Sequence, residues 1–184
     1  MDYQNAFIRE LTLENQRLRN LLKLKESAAP RIAAFGEIVL LDPIGWPIWI
    51  VAETREVQYV NKNFMVLDTR GNLVGKVAEK EGNRIKIMTI LNPKSRISVI
   101  TQTTRCLGIL ESTKSLHLGL SYLPNESTPV IGEMVVTSKL SQYYPAGVPV
   151  GTIQQSSPGK GFFREVTVQP NVNFSSLEEV VIAY

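Results

Sequence analysis

Few side chains in this sequence are of the types that carry catalysis or bind metals. The chain of 184 residues has one histidine, His117, and one cysteine, Cys106. Ser138 and Lys139 are adjacent, but neighbours on an extended strand point to opposite faces, so they do not form a Ser-Lys dyad. His117 alternates with leucines in "SLHLGL", which is typical of an exposed strand position. We therefore expect no catalytic residue, no metal site and no cofactor.

The motifs of common enzyme classes are missing as well. The sequence contains no G-x-S-x-G elbow, no Walker A loop and no dinucleotide-binding fingerprint. One cysteine cannot form an internal disulfide, and one Cys with one His cannot build a structural zinc site. The formal charge of +3 is spread without a run of like charges, so we expect no nucleic acid partner. No segment approaches the about 18 apolar residues of a membrane span. The sequence favours a protein that offers surfaces rather than reactive groups.

Two pairs of aromatic residues are candidates for a surface that binds another protein. Tyr143 and Tyr144 fall in an expected loop, and tyrosine is favoured at interfaces because it brings a large area and a hydroxyl that tolerates water. The alternative is that both rings fold back over the core. Trp46 and Trp49 lie three apart, on opposite faces of an extended strand, so only one is expected in the core. We predict all four residues as the candidate partner surface.

The first element that positions such surfaces is a helix. Residues from about 3 to 25 contain no Gly or Pro and are rich in Leu, Arg, Glu, Asn and Gln, which favours a helix. An apolar seam repeats along it with the spacing of heptad a and d positions, and Asn15 at an a position favours a parallel, in-register dimer. The alternative is a helix packed on its own β domain with Asn15 at the edge. The predicted self-association seam consists of Ile8, Leu11, Asn15, Leu18 and Leu22.

Beyond Gly36 the chain consists of short β-branched runs separated by Gly, Pro, Asn and Ser, which is typical of an all-β fold. Five candidate strands precede "NPKSR" and six follow it, the last of these being "FFREVTVQ" from Phe162. One further segment, "EEVVIAY", remains. Because closure removes exposed strand edges, we expect this segment to cross back and complete the first of two barrels.

The predicted fold is therefore mainly β, with an N-terminal helix of the coiled-coil type and two small six-stranded β-barrels. We predict the helix at residues 1–29 and the first barrel at residues 30–93, completed by residues 174–184. The second barrel is predicted at residues 94–173.

An internal echo supports the two barrels. "MVLDTRGNLVGKVAE" and "MVVTSKLSQYYPAGVPVGTIQQ" both run strand, polar turn, Gly, and then Val-Gly-x-[Val/Ile]. The glycines are Gly71 and Gly75 in the first copy and Gly147 and Gly151 in the second. Because a glycine inside a strand marks a bulge or a tight bend, we expect each barrel to use this hairpin at a corner.

These motifs give the chain a resemblance that covers nearly its whole length. It resembles the extracytoplasmic part of the MreC family of bacterial rod shape-determining proteins. Two positions depart from the family pattern: Lys139 stands where Gly is usual, and Asn173 where Asp is common. The matching pieces, in the family's order, are "LTLENQRLRNLL", "GNLVGKV", "SRISVI", "GEMVVTS", "PAGVPVGTI" and "VTVQP" with "LEEV".

The resemblance implies a non-enzymatic scaffold of the cell-elongation machinery, with barrels whose topology is similar to that of trypsin-like proteases but without catalytic residues. It implies a homodimer or higher oligomer that binds the class B penicillin-binding transpeptidase, MreD and, indirectly, MreB and RodA. The implied location is the periplasmic or extracellular face of the cytoplasmic membrane, where a span absent from this sequence would anchor the full-length protein.

Two other classes of protein share parts of the pattern. A periplasmic efflux adaptor also joins helices to barrels, but its helices form a hairpin with two matched heptad arms, and only one arm is present here. A trypsin-like hydrolase relative would share the barrel topology, but it needs a base near its nucleophile.

Overall fold

The computed structural model describes residues 2–21, 30–41, 47–112 and 117–184. It consists of one α-helix, α1 at Asp2–Leu21, followed by strands and two short 3₁₀-helices within these ranges. Among the described residues, no helix combines the length and the apolar character that a membrane crossing requires. The strands in chain order are β1 Ile32–Leu41, β2 Trp49–Glu53, β3 Met65–Leu67, β4 Leu73–Glu81, β5 Arg84–Thr89, β6 Arg96–Thr101, β7 Leu107–Ser112, β8 Leu118–Ser121, β9 Met134–Thr137, β10 Pro149–Ser157, β11 Glu165–Pro170 and β12 Glu179–Ala183.

The strands form two closed barrels of six antiparallel strands each. The ring order is β12-β1-β2-β5-β4-β3 in the first barrel and β6-β7-β8-β11-β10-β9 in the second. With β12 counted as the first strand of its barrel, both rings follow the same order, 1-2-3-6-5-4. The two barrels are therefore related by topology, and the first takes its leading strand from the end of the chain. The prediction of a helix with two closed six-stranded barrels is confirmed.

The last strand closes the first barrel between β1 and β3. Val180 pairs with Gly36 of β1, and Ile182 pairs with Val66 of β3. Val180 and Ile182 are both buried. Closure in this way leaves no open edge in the sheet, where unpaired backbone groups would invite association with other chains.

Alternation of side chains along the strands builds the core. In β5, Ile85, Ile87 and Thr89 are buried, whereas Arg84 and Lys86 are exposed. This period of two is what a strand with one face toward a barrel interior requires. The buried apolar residues of both barrels belong to one contiguous cluster, so the second barrel packs against the first.

The echoed glycines occupy equivalent places in the two barrels. Gly71 and Gly147 have φ values of +85° and +95°, a conformation that glycine adopts without steric cost. Gly75 and Gly151 lie where backbones approach closely. A Cβ at Gly75 would stand 2.1 Å from the carbonyl oxygen of Met88, and one at Gly151 would stand 2.4 Å from that of Gln169.

One strand boundary differs from the sequence analysis. The segment "FFREVTVQ" was expected to be extended from Phe162, but β11 begins at Glu165. Phe162 and Phe163 lie instead in the loop that joins β10 to β11. Two Phe residues favour a strand by propensity, but here only Phe163 keeps a single antiparallel bridge, to Pro124. The Gly161 and Phe162 carbonyls accept hydrogen bonds from Asn125, which is distant in sequence.

Candidate interaction surface

Ser138 and Lys139, the adjacent pair considered as a catalytic dyad, lie in different environments. Ser138 is buried, its Oγ lies 2.8 Å from the Oγ of Ser98, and it accepts a hydrogen bond of 3.1 Å from the Leu140 N–H. Lys139 is exposed. Ser138 thus stabilises the turn after β9, and Lys139 does not share its environment. In the part of the chain that the structure describes, no three His, Cys, Asp or Glu side chains are placed to hold a metal ion.

The structure describes the side chains of two members of the predicted helix seam, and both are exposed. Ile8 is 61 % exposed and Leu11 is 53 % exposed, and all side chains from residue 5 to residue 14 are exposed. This stretch of α1 therefore does not bury its side chains against the barrels. The side chains of Asn15 and Leu18, and the whole of Leu22, lie outside the described residues. The seam remains a prediction.

The structure separates the two predicted tyrosines. Tyr143 is 40 % exposed, and the Lys76 ammonium lies 3.8 Å from the centre of its ring. Tyr144 is buried, and this burial, together with Tyr143, raises the pKa of its phenol. Burial also lowers the pKa of Lys76, with a further contribution from the charge of Lys62. Tyr143 joins the two barrels and keeps an accessible edge, whereas Tyr144 is core and offers no surface.

Of the two predicted tryptophans, the structure describes Trp49. Trp49 is half-buried, and the Lys86 ammonium lies 4.7 Å from its ring centre. Trp46 lies outside the described residues. A cation over an aromatic face covers part of that face. The place of Trp49 in the partner surface remains a prediction.

A group of exposed aromatic residues in the second barrel was missed by the sequence analysis. Phe162 is 87 % exposed, Phe163 is 47 % exposed and Tyr122 is 58 % exposed. We call these three residues the aromatic knob. The signal in the sequence is a Phe-Phe pair inside "PGKGFFR", where glycines and a proline indicate a turn. Apolar residues in a turn have no strand face to bury, which points to exposure.

The first barrel carries a groove that is lined largely by charged and polar side chains, in contrast to the aromatic knob. It has a volume of about 620 Å³ and is lined in part by Phe35 and by the carboxylates of Glu37, Glu53, Glu56 and Glu179. Glu37 stands directly opposite both Glu53 and Glu179 on the neighbouring strands. Glu53 has a counter-ion, Arg84, at 2.8 Å. The lining also includes Arg55, so four carboxylates face one basic side chain there. The groove is therefore acidic, although the chain as a whole carries a net charge of +3.

The sequence of the chain is similar to those of known proteins. The family described as "Rod shape-determining protein MreC, barrel core" matches residues 48–184. The cell shape-determining protein MreC of Streptococcus pneumoniae is 24 % identical over 174 residues, which is 91 % of this chain and 64 % of that relative. The chain thus spans less than two thirds of the length of this relative.

Solved structures share the fold. The structure of MreC from Listeria monocytogenes superposes with a TM-score of 0.81 at 22 % identity, covering 97 % of this chain and 88 % of that one. A complex between penicillin-binding protein PBP2 and MreC from Helicobacter pylori contains a chain that matches with a TM-score of 0.66 at 13 % identity, covering 84 % of this chain and 98 % of that one. Since the family match includes every described strand except β1 and most of the sequence, this chain belongs to the MreC family of rod shape-determining proteins.

Proposed function

We propose that this chain is a non-enzymatic adaptor of bacterial cell-wall elongation, which binds a class B penicillin-binding transpeptidase and helps to maintain rod shape. The observation that carries the proposal is membership of the MreC family, one member of which has been solved in complex with PBP2. The chemistry of the barrels is in keeping with it. Ser138, which adjoins Lys139 in the sequence, is buried in a turn, where it bonds to Ser98 and to the backbone.

The proposed location is the outer face of the cytoplasmic membrane, with a membrane span in the full-length protein. There the helix would pair protomers, giving a homodimer or a higher oligomer. MreD would be a further partner, and MreB and RodA would be linked to the chain indirectly. These assignments follow the resemblance of the sequence motifs to the family.

The proposed mechanism is binding without chemistry. A scaffold that binds one conformer of an enzyme more tightly than another shifts the population toward that conformer. The barrels suit such a role because closed sheets present rigid, preformed surfaces. On this proposal, the chain raises the fraction of transpeptidase in an active state by preferential binding.

Direct binding to the transpeptidase tests the proposal. The chain is immobilised, and the purified transpeptidase of the same organism is passed over it in biolayer interferometry, with a carboxypeptidase-type penicillin-binding protein as the control analyte. We expect saturable binding of the transpeptidase and none of the control. Equal signals for both proteins, or no signal for either, would contradict the proposed function.

A further inference from the structure

We propose that the aromatic knob of Tyr122, Phe162 and Phe163 inserts into an apolar cleft of the transpeptidase, and is the contact of the second barrel with that partner. This inference rests on the proposed function and adds the surface through which it acts. None of the three residues belongs to the partner surface that the sequence predicted.

The knob presents aromatic area outward. Among the described residues, Phe162 is the most exposed of the large apolar side chains, at 87 %. The rings of Tyr122 and of Phe163, the residue after Phe162, meet edge to face, with centroids 5.7 Å apart. Aromatic residues are enriched among the side chains that contribute most to the affinity of protein interfaces. A protruding ring of this kind fits a cleft rather than a flat surface.

Hydrogen bonds from one asparagine hold the loop in shape. The Asn125 backbone N–H donates to the Phe162 carbonyl at 3.0 Å, and its side-chain amide donates to the Gly161 carbonyl at 2.7 Å. The Asn125 side-chain oxygen accepts from the Gly159 N–H at 3.3 Å. These bonds also satisfy the polar backbone groups next to Phe162, so that covering the ring with an apolar cleft leaves fewer groups unpaired.

The backbone at the base of the knob is closely packed. A Cβ at Gly159 would stand 2.3 Å from the Phe163 carbonyl oxygen, so only glycine fits there. Tyr122 adopts a φ of +64°, in the left-handed region that few non-glycine residues occupy. A loop whose backbone is fixed before binding loses less conformational entropy on binding than a mobile one.

The charges around the knob favour an apolar protein cleft over a membrane or a nucleic acid. Two acidic residues, Glu126 and Glu165, balance two basic ones, Lys160 and Arg164. The Arg164 guanidinium is engaged within the barrel, donating to the Asn125 carbonyl at 3.0 Å and to Ser156 Oγ at 3.1 Å. Anionic lipids and phosphates are attracted by an excess of positive charge, and these loops have none.

Affinity measurements on matched variants test the inference. The chain with Phe162→Ala and the chain with Tyr59→Ala are compared with the wild type for binding to the purified transpeptidase by isothermal titration calorimetry. Tyr59 is a suitable control because it is also an exposed aromatic residue, at 62 %, and lies in the first barrel outside the lining of the groove. We expect Phe162→Ala to raise the Kd by about 10-fold or more and Tyr59→Ala to leave it unchanged. A photo-crosslinking residue at position 162 should join covalently to the transpeptidase.

The outcomes separate the inference from the function on which it rests. Suppose that the wild type binds, that Phe162→Ala has the same Kd, and that position 162 gives no crosslink. This result overturns the proposal that the aromatic knob contacts the transpeptidase, and it leaves the adaptor function standing. Loss of affinity in both variants also overturns it, because the effect is then not specific to the knob. Absence of wild-type binding overturns both proposals. Binding of the wild type, but not of Phe162→Ala, to phosphatidylglycerol and phosphatidylcholine vesicles would assign the knob to lipid and overturn the inference.

Discussion

At the scale of single residues, glycines decide how closely the strands of each barrel approach. Gly75 in the first barrel and Gly151 in the second lie in the same Val-Gly-x-[Val/Ile] motif, and each faces a backbone carbonyl on the neighbouring strand. A backbone carbonyl cannot rotate away as a flexible side chain can. The motif is therefore explained by the close approach of neighbouring strands in each barrel and not by a ligand site.

Replacing Gly75 with alanine tests this reading. Because the added Cβ would stand 2.1 Å from the Met88 carbonyl oxygen, we expect the free energy of unfolding to fall by about 3 kcal/mol. Gly36→Ala is the matched control, since its nearest contact would be the Ala52 side chain at 3.3 Å. Urea denaturation of both variants measures the difference, and an equal cost at the two positions would show that close approach at Gly75 is not the cause.

Glu133 is a second residue whose role becomes clear only from its contacts. It is 7 % exposed, and its Oε1 accepts hydrogen bonds of 2.6 Å from the N–H groups of both Thr103 and Thr104. Its Oε2 accepts from Thr104 Oγ1 at 2.8 Å and from the Val130 N–H at 3.2 Å. Burial acts to raise the pKa of this carboxyl, but the hydrogen bonds outweigh burial and hold the pKa below its ordinary value. The acidic residue of the "GEMVVTS" motif thus links the turn at Thr103 and Thr104 to the turn at Val130 by hydrogen bonds.

Glu133→Gln should therefore destabilise the protein in a pH-dependent way. At neutral pH we expect a loss of about 1.5–3 kcal/mol, because hydrogen bonds to a charged acceptor are weakened. The folded-state pKa lies below the ordinary value of 4.5, so this stabilisation is present above 4.5 and disappears as the pH falls through the folded-state pKa. The wild type and the variant should converge in acid.

Urea denaturation at a series of pH values measures this convergence. Glu126→Gln is the control, because Glu126 is exposed and surface substitutions change stability by no more than about 0.5 kcal/mol. A difference between wild type and Glu133→Gln that stays constant from neutral pH into acid would contradict the proposed role of the carboxylate.

At the scale of elements, β12 determines whether the first barrel is closed. It pairs with β1 on one side and with β3 on the other, and without it both would become sheet edges. The second barrel has all six of its strands between residues 96 and 170. The two barrels should therefore respond differently to loss of the chain's end.

Deletion of residues 178–184 tests this dependence. We expect amides of the first barrel to lose protection from hydrogen exchange, because an opened barrel exposes its core and two strand edges. The second barrel should keep most of its protection. Deletion of residues 1–29 is the control and should leave both barrels protected, since the described helix side chains are exposed. Unchanged protection of the first barrel after loss of β12 would contradict this dependence.

The helix is the second element with a testable role. If Ile8 and Leu11 form part of a seam, Ile8→Asp with Leu11→Asp places unpaired charges in the dimer core, and we expect self-association to weaken by roughly 100-fold. Leu13→Asp is the matched control, because Leu13 is 52 % exposed on the same helix but lies off the seam. Sedimentation velocity reads the oligomeric state. Unchanged sedimentation of the seam variant, or equal disruption by Leu13→Asp, would refute the heptad assignment.

At the scale of the whole molecule, the two barrels act as one body that displays separate surfaces. Their equivalent hairpins meet where Lys76 of the first barrel lies over Tyr143 of the second. In a second contact, the amide of Asn171, which follows β11, donates to the Asn72 side-chain oxygen at 3.3 Å. The contiguous core behind these contacts keeps the acidic groove of the first barrel and the aromatic knob of the second in a defined relation. A rigid body of this kind is what the proposed adaptor function requires.

The amino-acid sequence by itself determined the features of this protein that depend on neighbours along the chain. Alternating apolar residues predict most of the strands, paired glycines predict the shared hairpin, and the strand pattern with the order of motifs predicts two barrels and the MreC family. The exposure of particular residues was decided only by the tertiary structure. Tyr144 is buried beside an exposed Tyr143, and Phe162 lies before its expected strand, in a loop that bonds to Asn125, 36 residues away from Gly161. Periodicity depends on local backbone geometry, whereas burial depends on which distant segment packs against a residue.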